Sequence, residues 1–153
     1  MGKKRIWECF WLPLILSVAW MGFILYESLR PAVPDVFNLI KNHPVVLPQI
    51  DGGIFMTTIR DIVGHSTFYF VWGLLLFWLS ITLKLKGVRQ FLLVVVFAGL
   101  FGGVVELLQE FCTLTRGAEW CDLASDFVGP LIAFFIGKLV WNCYLKRKSI
   151  NNN

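Results

Sequence analysis

The chain has four long blocks of hydrophobic residues, separated by segments that are rich in charged residues, proline and glycine. These blocks cover residues 6–26, 62–83, 91–108 and 123–145. A helix needs about 20 apolar residues to cross the roughly 30 Å hydrocarbon core of a bilayer, and each block has about that length. A water-soluble protein with four such helices would have almost no polar residues left to cover them. The pattern therefore predicts a single all-α domain over residues 1–153, an integral membrane bundle of four transmembrane helices.

The basic residues are concentrated on one side of this predicted bundle. The chain has 14 Lys and Arg and a net charge of +4. Most of them precede the first block, join the second to the third, or follow the fourth, namely Lys3, Lys4, Arg5, Lys84, Lys86, Arg89, Lys146, Arg147 and Lys148. Because cytoplasmic loops are enriched in Lys and Arg, both termini are predicted to be cytoplasmic, with two antiparallel hairpins between them. No stretch combines basic and aromatic residues as nucleic-acid-binding motifs do, so nucleic acid is excluded as a partner.

Two connections are predicted to lie on the outer side of the membrane. The longer one, residues 28–60, contains most of the prolines, and within it residues 35–42 have the spacing of a short amphipathic helix in the membrane interface. The shorter one joins the third and fourth helices and is flanked by Cys112 and Cys121, on the side where disulfides persist. Spacing alone leaves open whether these two cysteines are bridged or free.

Polar residues recur at helical spacing at the predicted outer ends of three helices. They are Asp61, His65 and Tyr69 on the second helix, Glu106, Gln109 and Glu110 on the third, Asp122 and Asp126 on the fourth, and Arg116 in the loop between the last two. Residues four apart share a helix face, and an ionisable residue inside a membrane costs several kcal/mol unless it is paired or hydrated. We therefore expect an outward-facing ligand pocket lined by Asp61, His65, Tyr69, Glu106, Gln109, Arg116, Asp122 and Asp126.

Structural roles compete with this interpretation for several of the residues. Asp61 and Asp122 begin their predicted helices, where a carboxylate caps free N–H groups. Glu110 could simply be solvated, and Arg116 could form a structural ion pair. His65 and Glu106 lie deeper in their helices, so a functional role is favoured for them.

Small residues extend the polar faces further into the predicted membrane. Gly99 and Gly103 precede Glu106 on the third helix, and Gly129, Ala133 and Gly137 follow Asp126 on the fourth; we interpret these small residues as helix-packing positions. The carboxylates continue these packing faces, so they are predicted to point into the bundle.

The pattern indicates a site without naming a reaction. His65, Glu106 and Asp126 are the candidates for catalysis, with His65 as a base oriented by Asp61 or Asp126. Ser66, Thr67 and Ser125 are nearby hydroxyls in no specific motif. Carboxylates around one imidazole could hold a divalent cation, but the cluster has only one strong nitrogen ligand, so neither a metal site nor a cofactor is predicted.

Two blocks of these residues resemble the VanZ-like family, small bacterial membrane proteins named for a member that lowers susceptibility to teicoplanin. Residues 61–70 are similar to the family's D-K-x-x-H-x-x-x-Y-F stretch, and residues 106–129 to its E-x-x-Q-x-F, P-x-R and D-x-x-x-N-x-x-G run. The chain departs from the family pattern at Ile62 for Lys, Leu114 for Pro and Asp126 for Asn. The last change adds a negative charge to the cluster, which favours a shared proton or a bound cation.

The resemblance implies a multi-pass protein of the bacterial inner membrane that is linked to glycopeptide tolerance. The lipid bilayer is then one partner, and an amphiphilic or lipid-linked ligand, such as a lipoglycopeptide or an envelope lipid, is the other. Arg116 and His65 would contact its polar groups, and lipid-facing aromatic residues would accept its acyl chain, with Trp72, Phe97 and Phe101 as candidates. No catalytic activity is assigned, because the resemblance implies a phenotype and not a reaction.

Two other functions remain open at the level of sequence. One is a membrane enzyme that acts on a lipid-linked envelope substrate with His65 as its base. The other, ranked last, is a proton-coupled transporter, which would have to be an oligomer because four short helices make a poor transporter alone.

Overall fold

The computed structural model describes residues 10–29, 52–112 and 120–151, without the side chains of residues 52–61, 110, 112 and 120. The first helix is Trp11–Leu29, the second Gly52–Thr82 and the fourth Trp120–Ile150. The third helix, residues 88–112, has a first α-helical turn, Val88–Phe91, a π-helical segment, Leu92–Val96, and a longer α-helix, Phe97–Cys112.

Each of the four helices contains a segment that is long and apolar enough to cross a membrane. These segments are Trp11–Leu29, Ile62–Thr82, Val88–Gln109 and Cys121–Ile150. The prediction of an all-α bundle with four membrane-spanning helices is therefore confirmed.

The second helix begins earlier than predicted. It starts at Gly52, so the expectation that residues 52–60 belong to a loop was wrong, as was the expectation that Asp61 caps the start of this helix. Residues 54–60 contain no proline, and extending the helix through them satisfies backbone groups that a loop beside the membrane would leave unpaired. The remaining part of the predicted outer loop, including residues 35–42, lies outside the described residues.

The second and fourth helices make the most extensive contact among the described elements. The two helices approach closely where the fourth helix has a glycine, which has no side chain. A methyl group at Gly129 would collide with the backbone of Ser66 and Phe70, and one at Gly137 would collide with the Phe77 ring. The packing role predicted for Gly129 and Gly137 is confirmed, because at both positions atoms of the second helix occupy the space that a side chain would need.

The third helix packs against the fourth with a slightly different face from the one predicted. Gly99 lies against the Phe127 ring, and Gly102 lies against the Asp126 side chain. Gly103, predicted to be part of the packing stripe, has only a looser approach to Leu123, whose nearest atom would be 3.6 Å from an added methyl group. Gly102, one turn before Glu106, is thus in close contact with the fourth helix, so Glu106, on the same face, is directed to that helix as well.

Hydrogen bonds between described residues attach the first helix to the second and to the third. Trp20 Nε1 donates to the Phe68 carbonyl oxygen on the second helix at 3.0 Å. Gln109 Nε2, on the third helix, donates to the Ser28 carbonyl oxygen at 3.1 Å. Ser28 belongs to the last turn of the first helix, where carbonyl groups have no partner within the helix. Gln109 thus stabilises the end of the first helix.

The second and third helices form an antiparallel hairpin through a short turn after Thr82. Lys84 and Gly87 have positive φ angles of 57° and 58°, which close the turn within a few residues. Gln90 Nε2 then donates to Ser80 Oγ at 2.8 Å across the hairpin, and both side chains are buried. This turn lies at one end of the bundle. The opposite end, where the first and third helices finish and the fourth begins, is called the His65 end below.

Candidate functional site

Five polar side chains from three helices lie together at the His65 end, and they are called the His65 cluster. The second helix provides His65 and Tyr69, the third Glu106, and the fourth Asp122 and Asp126. Glu106, Asp126 and Tyr69 are buried, while His65 and Asp122 are partly exposed. The prediction that polar residues of these helices converge is thus met for these five.

The His65 imidazole lies between two carboxylates of the fourth helix. Its Nδ1 is 3.1 Å from Asp126 Oδ1, and its Nε2 is 3.7 Å from Asp122 Oδ2. With Asp126 ionised, the Nδ1–H group donates the shorter hydrogen bond. Asp122 is in the first turn of its helix, where a carboxylate also suits the positive end of the helix dipole. The imidazole is thus oriented from both sides.

Glu106 brings a second buried carboxylate to His65 and Asp126. One ring nitrogen of His65 and one carboxylate oxygen each of Glu106 and Asp126 all lie within 4.8 Å of one another. Glu106 comes from a different helix, and Gly102 allows that helix to approach, because a methyl group there would overlap Asp126 Oδ2. Two carboxylates are therefore held near one imidazole in a part of the chain that is otherwise apolar.

Asp126 is the most deeply buried member of the cluster. Its side chain is 0% exposed, compared with 18% for His65 and 15% for Asp122. Its Oδ2 atom has no hydrogen-bond partner among the described residues. Pro130, four residues further along the fourth helix, has no N–H group to donate to the Asp126 carbonyl. Asp126 Oδ2 is therefore an acceptor without a bond of ordinary geometry, and the Asp126 carbonyl lacks the usual helical N–H partner.

Tyr69 closes the buried side of the cluster. Its hydroxyl lies near the Asp126 and Glu106 carboxylates, although it makes no hydrogen bond of ordinary length and angle with a described residue. The Tyr69 ring contacts the Trp72 ring, with centroids 6.1 Å apart, and Trp72 contacts Phe101 at 4.9 Å. These aromatic rings separate the cluster from the apolar interior below it.

The prediction that Trp72 faces lipid was wrong. Trp72 is buried among Tyr69, Phe97 and Phe101, because it follows Tyr69 by three residues and so shares its inward face. Phe97 is exposed, as predicted for a residue in contact with lipid.

The hydroxyl groups near His65 donate hydrogen bonds to backbone carbonyls. Ser66 Oγ donates to Ser125 O at 3.5 Å, Thr67 Oγ1 to Val63 O at 2.6 Å, and Ser125 Oγ to Asp122 O at 2.7 Å. His65 Nδ1 faces a carboxylate and not a hydroxyl. His65 is therefore not positioned to activate any of these three hydroxyls.

The other predicted site residues lie away from the cluster or outside the described residues. Gln109 Nε2 donates to the Ser28 carbonyl oxygen on the first helix, so this predicted site residue has a structural contact. The side chains of Asp61 and Glu110, and the whole of Arg116, are outside the described residues. Cys121 is exposed and free, and the side chain of Cys112 is not described.

Sequence reasoning missed two residues that shape the site, Gly102 and Pro130. Each stands four residues from a cluster carboxylate, Gly102 before Glu106 and Pro130 after Asp126. That spacing was the available signal, because residues four apart lie one above the other on a helix.

Comparison of this chain with protein families, with curated proteins and with solved structures gives no match. The resemblance to the VanZ-like family stays a prediction, based on residues 61–70 and 106–129.

The geometry allows three kinds of chemistry. An imidazole oriented by a carboxylate can accept or hold a proton. Charged groups at the partly exposed edge can bind the polar part of a ligand. An imidazole with two carboxylates can coordinate a cation. All three use His65 and Asp126.

Proposed function

We propose that this chain is a VanZ-like protein of the bacterial inner membrane that recognises an amphiphilic ligand, such as a lipoglycopeptide, at the His65 end. In this proposal both termini are cytoplasmic and the His65 end faces the outside of the cell. Ligand recognition there contributes to glycopeptide tolerance.

The observation that carries the proposal is the partly exposed imidazole of His65 between Asp122 and Asp126. Charged side chains on membrane helices are costly and are kept mainly where they serve a site. Exposure of His65 and Asp122 leaves one edge of the cluster open to polar groups of a ligand. The ring of Phe97, exposed along the third helix, offers apolar surface for an acyl chain on the same molecule.

The distribution of charge supports this orientation. The second helix runs roughly 25 Å from His65 to its end at Thr82, which is nearly the thickness of a hydrocarbon core. The turn that follows contains Lys84 and Lys86, with Arg89 in the first turn of the third helix. Because basic residues favour the cytoplasmic side, the opposite end of the helix, with His65, is the outer one.

The first experiment measures antibiotic tolerance in a susceptible bacterium that expresses the full chain. We expect tolerance to teicoplanin, which has an acyl chain, to rise more than tolerance to vancomycin, which has none. His65→Gln should abolish the increase, because it removes the charged group at the open edge. Gly22→Ala, on an exposed part of the first helix where an added methyl group meets nothing within 4 Å, is the matched control and should behave as the parent chain. Equal shifts for both drugs, or none in a chain that is expressed, would contradict the proposal.

A second candidate function is supported by the His65–Asp126 pair itself. A histidine held by a buried carboxylate at 3.1 Å has the arrangement of an oriented general base, so an enzyme acting on a lipid-linked envelope substrate fits the same residues. Purified chain incubated with labelled envelope lipids would then give a product that His65→Ala eliminates. If labelled lipids are recovered unchanged while the chain still confers tolerance, recognition and not turnover is the function.

A further inference from the structure

The turn between the second and third helices lies at the membrane surface. The apolar segment of the second helix ends at Thr82 and that of the third begins at Val88, so residues 83–87 connect two membrane-spanning segments. Side chains at such a boundary lie at the level of the lipid head groups. This end of the bundle, opposite the His65 end, is called the turn end.

Five residues at the turn end line a cavity of about 380 Å³. Three of them are basic, Lys84, Lys86 and Arg89, and all three are exposed. The other two, Leu85 and Val88, are apolar. The cavity therefore combines a concentration of positive charge with apolar surface.

The segments that reach the turn end carry positive charge without negative charge. Residues 62–105 contain no Asp or Glu, and residues 127–153 contain none either. The fourth helix runs to the same end and adds Lys146, Arg147 and Lys148 in its last turns. Because a concave surface lined by one sign of charge attracts ligands of the opposite sign, this cavity favours an anion.

Lys84 occupies a position where glycine is the usual residue. Its φ angle is 57°, its N–H group donates to the Ile81 carbonyl oxygen at 3.0 Å, and the Leu85 N–H group donates to the Ser80 carbonyl oxygen at 2.9 Å. These two bonds form a Schellman motif, in which the residue with positive φ is most often glycine because a side chain is disfavoured there. A lysine thus stands here against its conformational preference, and it lines the cavity.

Hydrogen bonds hold the turn in one shape. Gln90 Nε2 donates to Ser80 Oγ at 2.8 Å, and both side chains are buried. The Phe91 N–H group donates to the Gly87 carbonyl oxygen at 3.1 Å. The turn is therefore tied to both of its helices, which lowers the entropic cost of binding a ligand there.

We infer that the turn end has a binding site for the head group of an anionic phospholipid, with Lys84, Lys86 and Arg89 around its phosphate group. Lys and Arg form charge-assisted hydrogen bonds with phosphate oxygens, and basic pockets beside transmembrane helices bind phospholipid head groups. The apolar surface favours a lipid over a free phosphate. Val88 is 72% exposed, and Leu92, on the next turn of the third helix, is 49% exposed. Both offer contact to the glycerol and acyl carbons of the same molecule.

The test is lipid binding to the purified full-length chain in detergent, measured by native mass spectrometry. Dioleoyl phosphatidylglycerol and dioleoyl phosphatidylcholine are titrated separately, since they share acyl chains and differ in head-group charge. We expect one phosphatidylglycerol molecule per chain to bind about tenfold or more tightly than phosphatidylcholine, because each basic residue near the membrane surface favours an anionic lipid by roughly fivefold.

Lys84→Gly separates loss of charge from loss of folding. Glycine suits the positive φ angle, so the turn should form at least as well as in the parent chain, while phosphatidylglycerol binding should weaken by roughly fivefold. Arg89→Gln should weaken it by a similar factor.

The matched control replaces Lys146, Arg147 and Lys148 together by glutamine. It removes three positive charges at the same end of the bundle, from residues that do not line the cavity. Binding should stay within about twofold of the parent chain, because charges that act through water and salt are screened.

A soluble competitor distinguishes a lipid from a free phosphate. Glycerol 3-phosphate in excess should leave the bound phosphatidylglycerol in place, because it has no acyl chain. Its displacement of the lipid would overturn the inference, as would a loss in the control variant as large as in Lys84→Gly. Equal binding of the two lipids would also overturn it and would favour an acidic protein segment as the occupant. Glycopeptide recognition is tested separately, because lipid binding is measured without any antibiotic and at the other end of the bundle.

Discussion

Substitution of Gly129 by alanine is expected to lower the free energy of unfolding by about 1–3 kcal/mol, the usual cost of an overpacked contact. The added methyl group would collide with the Ser66 carbonyl and the Phe70 amide. These are backbone atoms of a helix, so they cannot rotate away as a side chain can, and the second and fourth helices must move apart. Unfolding of the purified chain by SDS in mixed micelles, followed by far-UV circular dichroism, measures the change.

Gly22→Ala is the matched control for this substitution. It adds the same methyl group where nothing lies within 4 Å, so we expect stability to be unchanged or raised by up to about 1 kcal/mol through helix propensity. A leucine at position 129 should cost more than an alanine, because a larger group forces a wider separation. If Gly129→Ala and Gly22→Ala were equally stable, close approach at Gly129 would not be holding these helices together.

The membrane-spanning helices could be predicted from the sequence because their signal is one of length. Apolar blocks of about 20 residues have few structural alternatives to a transmembrane helix. The helix ends were less predictable. Residues 52–60 were assigned to the outer loop, yet the second helix begins at Gly52, because glycine is tolerated in a first turn when the next residues can continue the helix.

The rotation of each helix about its axis was only partly predictable. Periodicity identified the small face of the third helix, but the tight contact with Asp126 is at Gly102 and not at Gly103. Adjacent residues differ by about 100° around a helix, so the choice between them depends on how the helices cross. The π-helical segment Leu92–Val96 also changes which residues face the fourth helix, because its wider turn rotates every residue that follows. The run of leucines and valines in this segment has no feature that predicts a π-helix.

The convergence of the cluster could be predicted, but its aromatic surroundings were misinterpreted. His65 and Glu106 stand out because ionisable residues are rare within apolar helices. Trp72 was assigned to the lipid face, although it follows His65 by seven residues and Tyr69 by three. That spacing already places all three on one helix face. Aromatic composition was given more weight than position, and position was the better guide.

Opposite changes in stability are expected from His65→Gln and Asp126→Asn. His65 Nδ1 lies 3.1 Å from Asp126 Oδ1, and the Asp126 side chain is 0% exposed. Loss of His65 leaves the buried Asp126 carboxylate without this basic partner. Removing one member of a buried pair costs about 3–5 kcal/mol where the remaining charge cannot be neutralised. Because a carboxylate can take up a proton, we expect a loss of about 2–4 kcal/mol.

Asp126→Asn should instead raise the free energy of unfolding by about 1–3 kcal/mol, because replacing a buried ion pair with uncharged groups is often stabilising. The introduced amide keeps the size of the carboxylate against Gly102, and its NH₂ group can donate to Glu106 or to Tyr69. His65 can become neutral, so no charge remains without a partner at that position. SDS unfolding of the two variants beside the parent chain gives both values in one experiment.

The comparison of these two variants separates a functional site from a structural ion pair. A buried charge that lowers stability is typical of a functional site, where activity is kept at the expense of stability. If Asp126→Asn and His65→Gln were destabilising by the same amount, these side chains would serve packing, and the His65 cluster would be a structural ion pair.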